Sequence, residues 1–219
     1  MKVAALAVAC LLVGESAAAL KSRPGAPASS ARAVPHRVAQ PIAQLPAGEA
    51  DGRIFLTNAQ QRQAIASGTV DRPVRSLLAV ESPLRYGDYK WNDRGIPAGP
   101  TWVRIDLRTQ IISVFRAGHE IGTAVVVYGG DNKETPTGKL HILGKARNHR
   151  SSLYDAEMPY TLRLTNDGVS IHGSSVRWGA ATHGCIGVPL DFAEHLFDAT
   201  RTGDEVVIIP DRSPSQRSS

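Results

Sequence analysis

From Thr101 onward the sequence consists of short alternating segments separated by tight turns, and this pattern constrains the fold more than any other feature. Apolar and polar residues alternate over 101–107, and strand-like segments follow at 110–116 and 119–130 after breaks of two residues each. Alternation with a period of two is typical of half-buried strands, whereas an amphipathic helix repeats its apolar residues every three to four positions. We therefore predict a meander of short strands with tight turns.

The rest of this half of the chain extends the meander and adds one helix. The "NDG" at 166–168 is a good hairpin turn, and a last strand is expected over 204–210. Between them, 189–200 has the pattern of an amphipathic helix with five apolar residues on one face: Leu190, Phe192, Ala193, Leu196 and Phe197. The other strand-like segments are 138–146, 160–166 and 168–173. The predicted fold is a mainly β domain, a sandwich or barrel, with one late α-helix.

Residues 51–99, ahead of the meander, form an N-terminal extension whose role the sequence does not reveal. A short helix is expected between Thr57 as its cap and Gly68 as its stop, and a strand within 72–80. Turn signals over 86–100 predict a loop that introduces the meander.

The N-terminus has the organisation of a secretory signal peptide. A basic start at Lys2 is followed by an apolar run over 3–13 and by small residues at Ala17 and Ala19. The run is shorter than the roughly 20 apolar residues that span a bilayer. We predict that residues 1–19 are a signal peptide and that the mature chain is exported to the periplasm or cell wall. An uncleaved anchor and a lipid-modified Cys10 are the alternatives.

Two further segments lack any steady hydrophobic period. Residues 20–50 are rich in Ala, Pro and Ser and predict a disordered linker, and 211–219 predict a disordered tail. The net charge of +5 suits an anionic polymer as partner. Its Lys and Arg residues are scattered and form no dense run interleaved with aromatic residues, which argues against nucleic-acid binding.

The chain has two cysteines, and signal cleavage would leave only Cys185. An exported protein with one cysteine has no internal disulfide, so its thiol is paired between molecules, reactive, or buried as a small apolar group. Gly184 and Gly187 on either side indicate a tight turn rather than a packed strand interior. This placement favours the reactive interpretation.

Two histidines accompany this cysteine in the sequence. His172 ends a predicted strand, and His183 lies two residues before Cys185. A thiol of ordinary pKa needs a nearby base or positive environment to react at neutral pH. If the loop over 174–182 folds back, it brings the strand end at His172 close to the turn that carries Cys185. Because Gly184 leaves the backbone bare, a substrate carbonyl could approach an oxyanion hole there. This arrangement predicts acyl transfer through a thioester.

Other interpretations of these residues are weaker. His172, His183 and Cys185 are all zinc-ligand types, but no carboxylate or second close pair accompanies them, so we predict no metal and no cofactor. The remaining histidines have no partner pattern and are expected to be surface or core residues: His36, His119, His141, His149 and His195.

These motifs resemble those of the L,D-transpeptidase catalytic domain family (YkuD-type). The resemblance rests on "IHG" followed by a loop and "THGCIG" at 182–187, on "TPTGKLHIL" at 135–143, and on "MPYTLRLTNDGVSIHG" at 158–173. It places a catalytic domain at 100–210. It implies a β-rich enzyme that cleaves peptidoglycan stem tetrapeptides, releases D-alanine and holds the rest as a cysteine thioester. The acceptor would be an amine of a second stem or of an outer-membrane lipoprotein; water would make the enzyme an L,D-carboxypeptidase.

The resemblance also implies roles for individual residues. Cys185 would be the nucleophile and His172 the general base, and the activity would be sensitive to carbapenems. The residues expected to shape the oxyanion site are His183, Gly184 and Thr182, and Tyr160 is expected beside the cleft.

One position departs from the family pattern, which generally has Arg or Asn where this chain has Gly187. A decayed, non-catalytic wall-binding module is therefore a further alternative. In the loop before the cysteine, Arg177 is a candidate cation for a stem carboxylate.

Overall fold

The computed structural model describes residues 52–130, 134–151 and 155–211, which form two β-sheets and two helices. The predicted signal peptide and linker lie outside the described residues, as does nearly all of the predicted tail. The first half contains β1 (Arg53–Phe55), α1 (Asn58–Ala66), β2 (Ser76–Leu78), β3 (Tyr89–Trp91), β4 (Thr101–Asp106), β5 (Ile111–Arg116) and β6 (His119–Val125). The second half contains β7 (Gly138–His141), β8 (Gly144–Ala146), β9 (Thr161–Arg163), β10 (Ser170–Gly173), β11 (Ile186–Val188), α2 (Leu190–Ala199) and β12 (Glu205–Ile209).

The larger sheet has eight strands in the order β1-β2-β6-β5-β4-β12-β7, with β3 also paired to β6. Its centre is the predicted meander, because β4 pairs with β5 and β5 with β6, both antiparallel. The last strand, β12, returns parallel to β4. This confirms the strands predicted from alternation.

The smaller sheet has four strands in the order β11-β10-β9-β8. The hairpin predicted at 166–168 joins β9 and β10, and Gly168 has the positive φ of 96° that such a turn requires. The segment 138–146 contributes to both sheets, since β7 pairs with β12 and β8 pairs with β9. Buried Ile142 lies between the two pieces, where the chain crosses the core.

The two sheets and α2 enclose one hydrophobic core, as expected for a mainly β sandwich with a late helix. Val103, Ile105 and Val114 of the larger sheet and Leu162, Ile171 and Ile186 of the smaller one belong to the same buried cluster. Phe192 of α2 is fully buried among them, and burial of such a side chain stabilises a fold by about 1.5–3 kcal/mol. Leu190, predicted on the same face, is instead 51% exposed at the start of the helix.

The N-terminal extension covers the outer face of the larger sheet. Its helix α1 is capped by Thr57 as predicted, with Gln60 completing a capping box. Buried Ala64 and Leu77 pack in one cluster with Trp102 and Phe115, whose rings stack 4.3 Å apart. The extension therefore contributes a hydrophobic layer of its own.

The prediction of an uninterrupted loop over 86–100 was wrong, because β3 lies within it and pairs antiparallel with β6. The reason is a steric match that the local sequence does not display. Trp91 pairs with Gly122, and a Cβ on Gly122 would lie 2.2 Å from the Trp91 ring. Within the described residues, neither helix is long and apolar enough to cross a membrane.

Candidate active site

His172 and Cys185 are brought together by the parallel pairing of β10 with β11. Ile171 pairs with Ile186, and both side chains are buried in the core. Alternate residues of a strand point to opposite faces, so His172 projects to the other face of the sheet, and Cys185, just before Ile186, lies on that same face. The loop between them therefore returns the chain to the neighbouring strand, as the sequence predicted.

The His172 ring is oriented by the backbone of its own strand. Its Nδ1 lies 2.9 Å from the carbonyl oxygen of Gly173. A carbonyl can only accept, so this contact assigns the proton to Nδ1 and leaves Nε2 as an acceptor. Burial lowers the pKa of His172 below its ordinary value, and nearby His149 lowers it further against the opposing effect of the Gly173 carbonyl. The neutral ring is the form suited to accept a proton.

The turn that presents Cys185 is held from two directions. Gly184 has a φ of 96°, a left-handed conformation that favours glycine. Its carbonyl accepts a hydrogen bond of 3.1 Å from the Thr135 hydroxyl, which itself accepts from the Gly129 N–H at 2.9 Å. The Thr182 hydroxyl donates to the Cys185 carbonyl at 2.5 Å. These bonds fix the backbone on both sides of the thiol.

Both groups line an open cavity of about 660 Å³. Its floor is the outer face of the smaller sheet, and the Cys185 Sγ lies 3.9 Å from the Gly168 carbonyl oxygen across it. Of the residues predicted for the site, the cavity is lined by His172, Thr182, His183 and Cys185. Gly184 is buried and is not among the residues that line the cavity.

Tyr160 and Arg177 are not among the residues that line this cavity. The Tyr160 ring packs edge-on against Phe197 of α2 at 5.9 Å and lies under the guanidinium of Arg147. Arg177 is exposed on the loop between β10 and β11. The structure thus places these two side chains apart from the thiol, and their roles stay predictions.

Sequence reasoning missed His149 and Thr135, which both contribute to the site. His149, predicted to be an ordinary surface or core residue, lines the cavity and affects the pKa of His172. It lies in the loop between β8 and β9, where no motif marks it. Thr135 is only 6% exposed and ties the cysteine turn to Gly129. The available signal was its position as the first residue of the "TPTGKLHIL" motif at 135–143.

Gly187 has a packing reason to be glycine. A Cβ at this position would lie 2.7 Å from Cγ2 of Val127 and 2.8 Å from the Cβ of Ser174. Its backbone also exchanges two hydrogen bonds with Val127, of 2.8 and 3.0 Å. The space that Arg or Asn would need is therefore filled.

No metal site is evident in the part of the chain that the structure describes. Across those three ranges, no three His, Cys, Asp or Glu side chains form a group that could hold a metal ion, and His172, His183 and Cys185 do not form one.

Comparisons with known proteins bear on this domain. Residues 100–208 match the YkuD family, described as the L,D-transpeptidase catalytic domain. No curated protein sequence matches the chain.

Among solved structures, the L,D-transpeptidase (Yku) from Stackebrandtia nassauensis is 25% identical, with a TM-score of 0.48 and coverage of 53% of this chain and 58% of that one. L,D-transpeptidase 1 of Mycobacterium tuberculosis is 24% identical, with a TM-score of 0.45 and coverage of 51% and 62%. The complex of the L,D-transpeptidase LdtMt1 with imipenem is 25% identical, with a TM-score of 0.46 and coverage of 50% and 58%. The chain spans less than two thirds of each of these proteins.

The family match covers β4 through most of β12, including the "THGCIG" turn and the strand that carries His172. Through residues 100–208, this chain belongs to the L,D-transpeptidase catalytic domain (YkuD) family.

Proposed function

We propose that this protein is a peptidoglycan L,D-transpeptidase that transfers an acyl group through a thioester on Cys185. The donor is a stem tetrapeptide, D-alanine is the leaving group, and an amine of a second stem or of an outer-membrane lipoprotein is the acceptor. The observation that carries the proposal is the His172 ring, which is held neutral with Nε2 as its acceptor, on the floor of the cavity that contains the thiol.

In the acylation half, the Cys185 sulfur attacks the carbonyl carbon of the third stem residue while His172 Nε2 takes the thiol proton. The tetrahedral intermediate collapses when the C–N bond to D-alanine breaks, and the departing amine receives that proton from His172. In the second half, the acceptor amine attacks the thioester and gives a proton to His172. The C–S bond then breaks and the sulfur recovers the proton, which restores the thiol.

The turn over 182–185 is suited to stabilise the negative oxygen of the intermediates. We assign this role to the Cys185 amide with Gly184 and His183, while Thr182 holds the Cys185 carbonyl and keeps the turn in place. Donors that are already oriented need no reorganisation during the reaction, and the loss of one such donor typically costs about 10²- to 10³-fold in rate.

The decisive experiment incubates the protein with disaccharide-tetrapeptide muropeptides beside its Cys185→Ala variant and resolves the products by mass. We expect a cysteine-dependent cross-linked dimer that has lost one alanine. An alanine-trimmed monomer would show that water is the acceptor and would replace the transpeptidase by an L,D-carboxypeptidase. Unchanged muropeptides with a folded sample would contradict both enzyme functions.

A non-catalytic wall-binding module was suggested by Gly187. The packing of Gly187 between Val127 and Ser174 supports the enzyme instead, because this glycine has a structural cause unrelated to loss of activity. A carbapenem provides a second test, since an activated thiol in an open cavity should be acylated. Intact-mass analysis is expected to show an adduct confined to Cys185, and peptidoglycan binding without any adduct would favour the binding module.

The proposed substrate also requires export. We propose that residues 1–19 direct the chain to the periplasm or cell wall and are removed there. N-terminal sequencing of the chain from the cell envelope is expected to begin at Leu20, and recovery of the uncut chain from the cytoplasm would contradict this.

A further inference from the structure

The cavity floor contains a cation that the proposed mechanism does not use. Arg163 is the last residue of β9, where Thr161 and Leu162 are buried and Arg163 is exposed. Its side chain lines the same cavity as the thiol and His172. On the smaller sheet it pairs with Ser170 of β10 on one side and with Gly144 of β8 on the other.

The strand register locates Arg163 relative to Cys185. Ile171 pairs with Leu162 on one side and with Ile186 on the other, so Ser170, one residue earlier, lies between Arg163 and Cys185. Neighbouring strands are about 4.8 Å apart, which puts the backbones of Arg163 and Cys185 about 10 Å from each other. The Arg163 guanidinium leans toward Gly144 of β8, on the side of β9 away from Cys185. A carboxylate bound to it therefore lies more than about 10 Å from the thiol, which is about three residues of an extended stem at about 3.5 Å each.

The Arg163 guanidinium lies over Gly144, which has no side chain. Its Nε and Nη2 atoms are 3.7 Å from the place that a Cβ on Gly144 would occupy. Gly144 therefore leaves this part of the cavity floor open beside the cation.

Arg163 also differs from the other cations nearby, because in the described ranges its guanidinium has neither an ion pair nor a hydrogen-bond acceptor. Arg147 contacts Glu194 and Asp198, and Arg150 contacts Asp155 and Glu157. Lys145, the other cation of the cavity, donates to the carbonyl oxygens of Phe197 and Thr200 at the end of α2. Arg163 is thus the cavity cation that is available to an anionic ligand.

We propose that Arg163 binds a carboxylate of the donor stem peptide and so positions the scissile carbonyl at Cys185. This inference rests on the proposed function and assigns to Arg163 the role that the sequence suggested for Arg177, which lies outside the cavity lining. A guanidinium forms paired, charge-assisted hydrogen bonds to a carboxylate, a geometry that a neutral amide does not reproduce. The distance favours a side carboxylate of an earlier stem residue, because the C-terminal carboxylate lies only one residue, about 3.5 Å, from the scissile carbonyl.

The test compares kcat/KM for tetrapeptide stems in the wild-type enzyme and in Arg163→Gln. A charge-assisted hydrogen bond contributes enough that we expect a loss of about 10- to 100-fold, mainly as a higher KM. Arg62→Gln, an exposed arginine on α1, is the matched control and should behave as wild type. If Arg177→Gln produces the loss and Arg163→Gln does not, the assignment is overturned.

Amidated stems identify the carboxylate. One stem carries a C-terminal amide and another an amidated side carboxylate. Amidation of the carboxylate that Arg163 binds should lower wild-type kcat/KM by the same factor as Arg163→Gln and should have no further effect in that variant. An Arg163→Gln loss of equal size on every stem would mean that Arg163 recognises neither carboxylate, and the proposal would be rejected.

A binding measurement separates this inference from the proposed function. Calorimetry of the same tetrapeptide with Cys185→Ala and with Cys185→Ala/Arg163→Gln needs no turnover. A Kd that is 10- to 100-fold weaker in the double variant supports the carboxylate site even if wild type turns over no stem. Equal Kd values, or no binding by either protein, would overturn it.

Discussion

The two sheets of this domain share one core but differ in what lies on their other face. The outer face of the larger sheet is covered by the N-terminal extension, whose Ala64 and Leu77 pack with Trp102 and Phe115. The outer face of the smaller sheet carries His172 and Arg163 and forms the floor of an open cavity. The same alternation of residues thus supports a third hydrophobic layer on one sheet and a candidate active site on the other. Because no further layer covers the outer face of the smaller sheet, polar side chains on that face are accessible to a substrate.

The largest expected effect comes from replacing a histidine of the smaller sheet, compared with the same replacement on the larger sheet. His172→Ala should slow thioester formation by about 10²- to 10⁴-fold, because a general base commonly contributes that much. His141→Ala is the matched control, since His141 is exposed on β7 of the larger sheet. The rate of acylation by a carbapenem, followed by intact mass, measures both. Equal rates in the two variants would contradict the assignment of His172.

The pH dependence of the same reaction follows from the burial of His172. Because its pKa is lowered from 6.5, the ring stays neutral as the pH falls through the ordinary histidine range, and the base is lost only at lower pH. We therefore expect the acid limb of the acylation rate below pH 6.5. A limb at or above that value would mean that the ring is not desolvated as the structure indicates.

Another prediction concerns a titrating group inside the larger sheet. Glu120 on β6 is buried, and burial raises its pKa from 4.5 to about 7 against the effect of the Leu78 N–H, which donates to its Oε2 at 2.8 Å. The folded state then holds this proton more tightly than the unfolded state. The stabilisation is complete below pH 4.5 and is lost as the pH rises through 7, a change of roughly 3 kcal/mol in the free energy of unfolding.

Glu120→Gln should remove this decline while keeping an acceptor for the Leu78 N–H. Urea unfolding on either side of neutrality, with exposed Glu81→Gln as control, measures it. If the variant and wild type show the same pH dependence, Glu120 does not titrate with folding. Because Glu120 lies in the larger sheet, the acylation rate per folded molecule should not change.

Most strands of the larger sheet could be predicted from local sequence, but one could not. Strand positions in β4, β5 and β6 were predictable because short apolar-rich segments separated by turn residues are typical of strands. Their burial on both faces was not predictable from alternation, because it depends on the N-terminal extension that covers Trp102 and Phe115. The strand β3 was missed because its place depends on Trp91 entering the space above Gly122, a match between distant residues. Local sequence cannot display such a match.

For the site, residues adjacent in sequence to the strand ends were predictable. His172, Thr182, His183 and Cys185 all line the cavity, since one parallel strand pair determines their positions. Arg163 and His149 were missed because their place in the cavity depends on how β8 and β9 add to that pair. Whether a residue faces the cavity is then decided by sheet register, which the motifs do not contain.

The smallest expected effect concerns the seam between the two sheets, where Gly187 of β11 bonds to Val127 just beyond β6. Gly187→Ala would place a Cβ 2.7 Å from Val127 and 2.8 Å from Ser174. Overpacking of this kind typically destabilises by about 1–3 kcal/mol, which exceeds the gain of about 0.4–1 kcal/mol from a less flexible unfolded chain. Urea unfolding is expected to show the loss.

The matched control is Gly130→Ala, whose Cβ would lie 3.5 Å from Ala181, an ordinary contact. Ser174→Gly in the Gly187→Ala background should restore part of the stability, because it removes one of the two clashing groups. Equal stability of Gly187→Ala and Gly130→Ala would show that the seam accommodates a side chain. In that case glycine at position 187 would need a cause other than packing, and the decayed-site alternative would regain its basis.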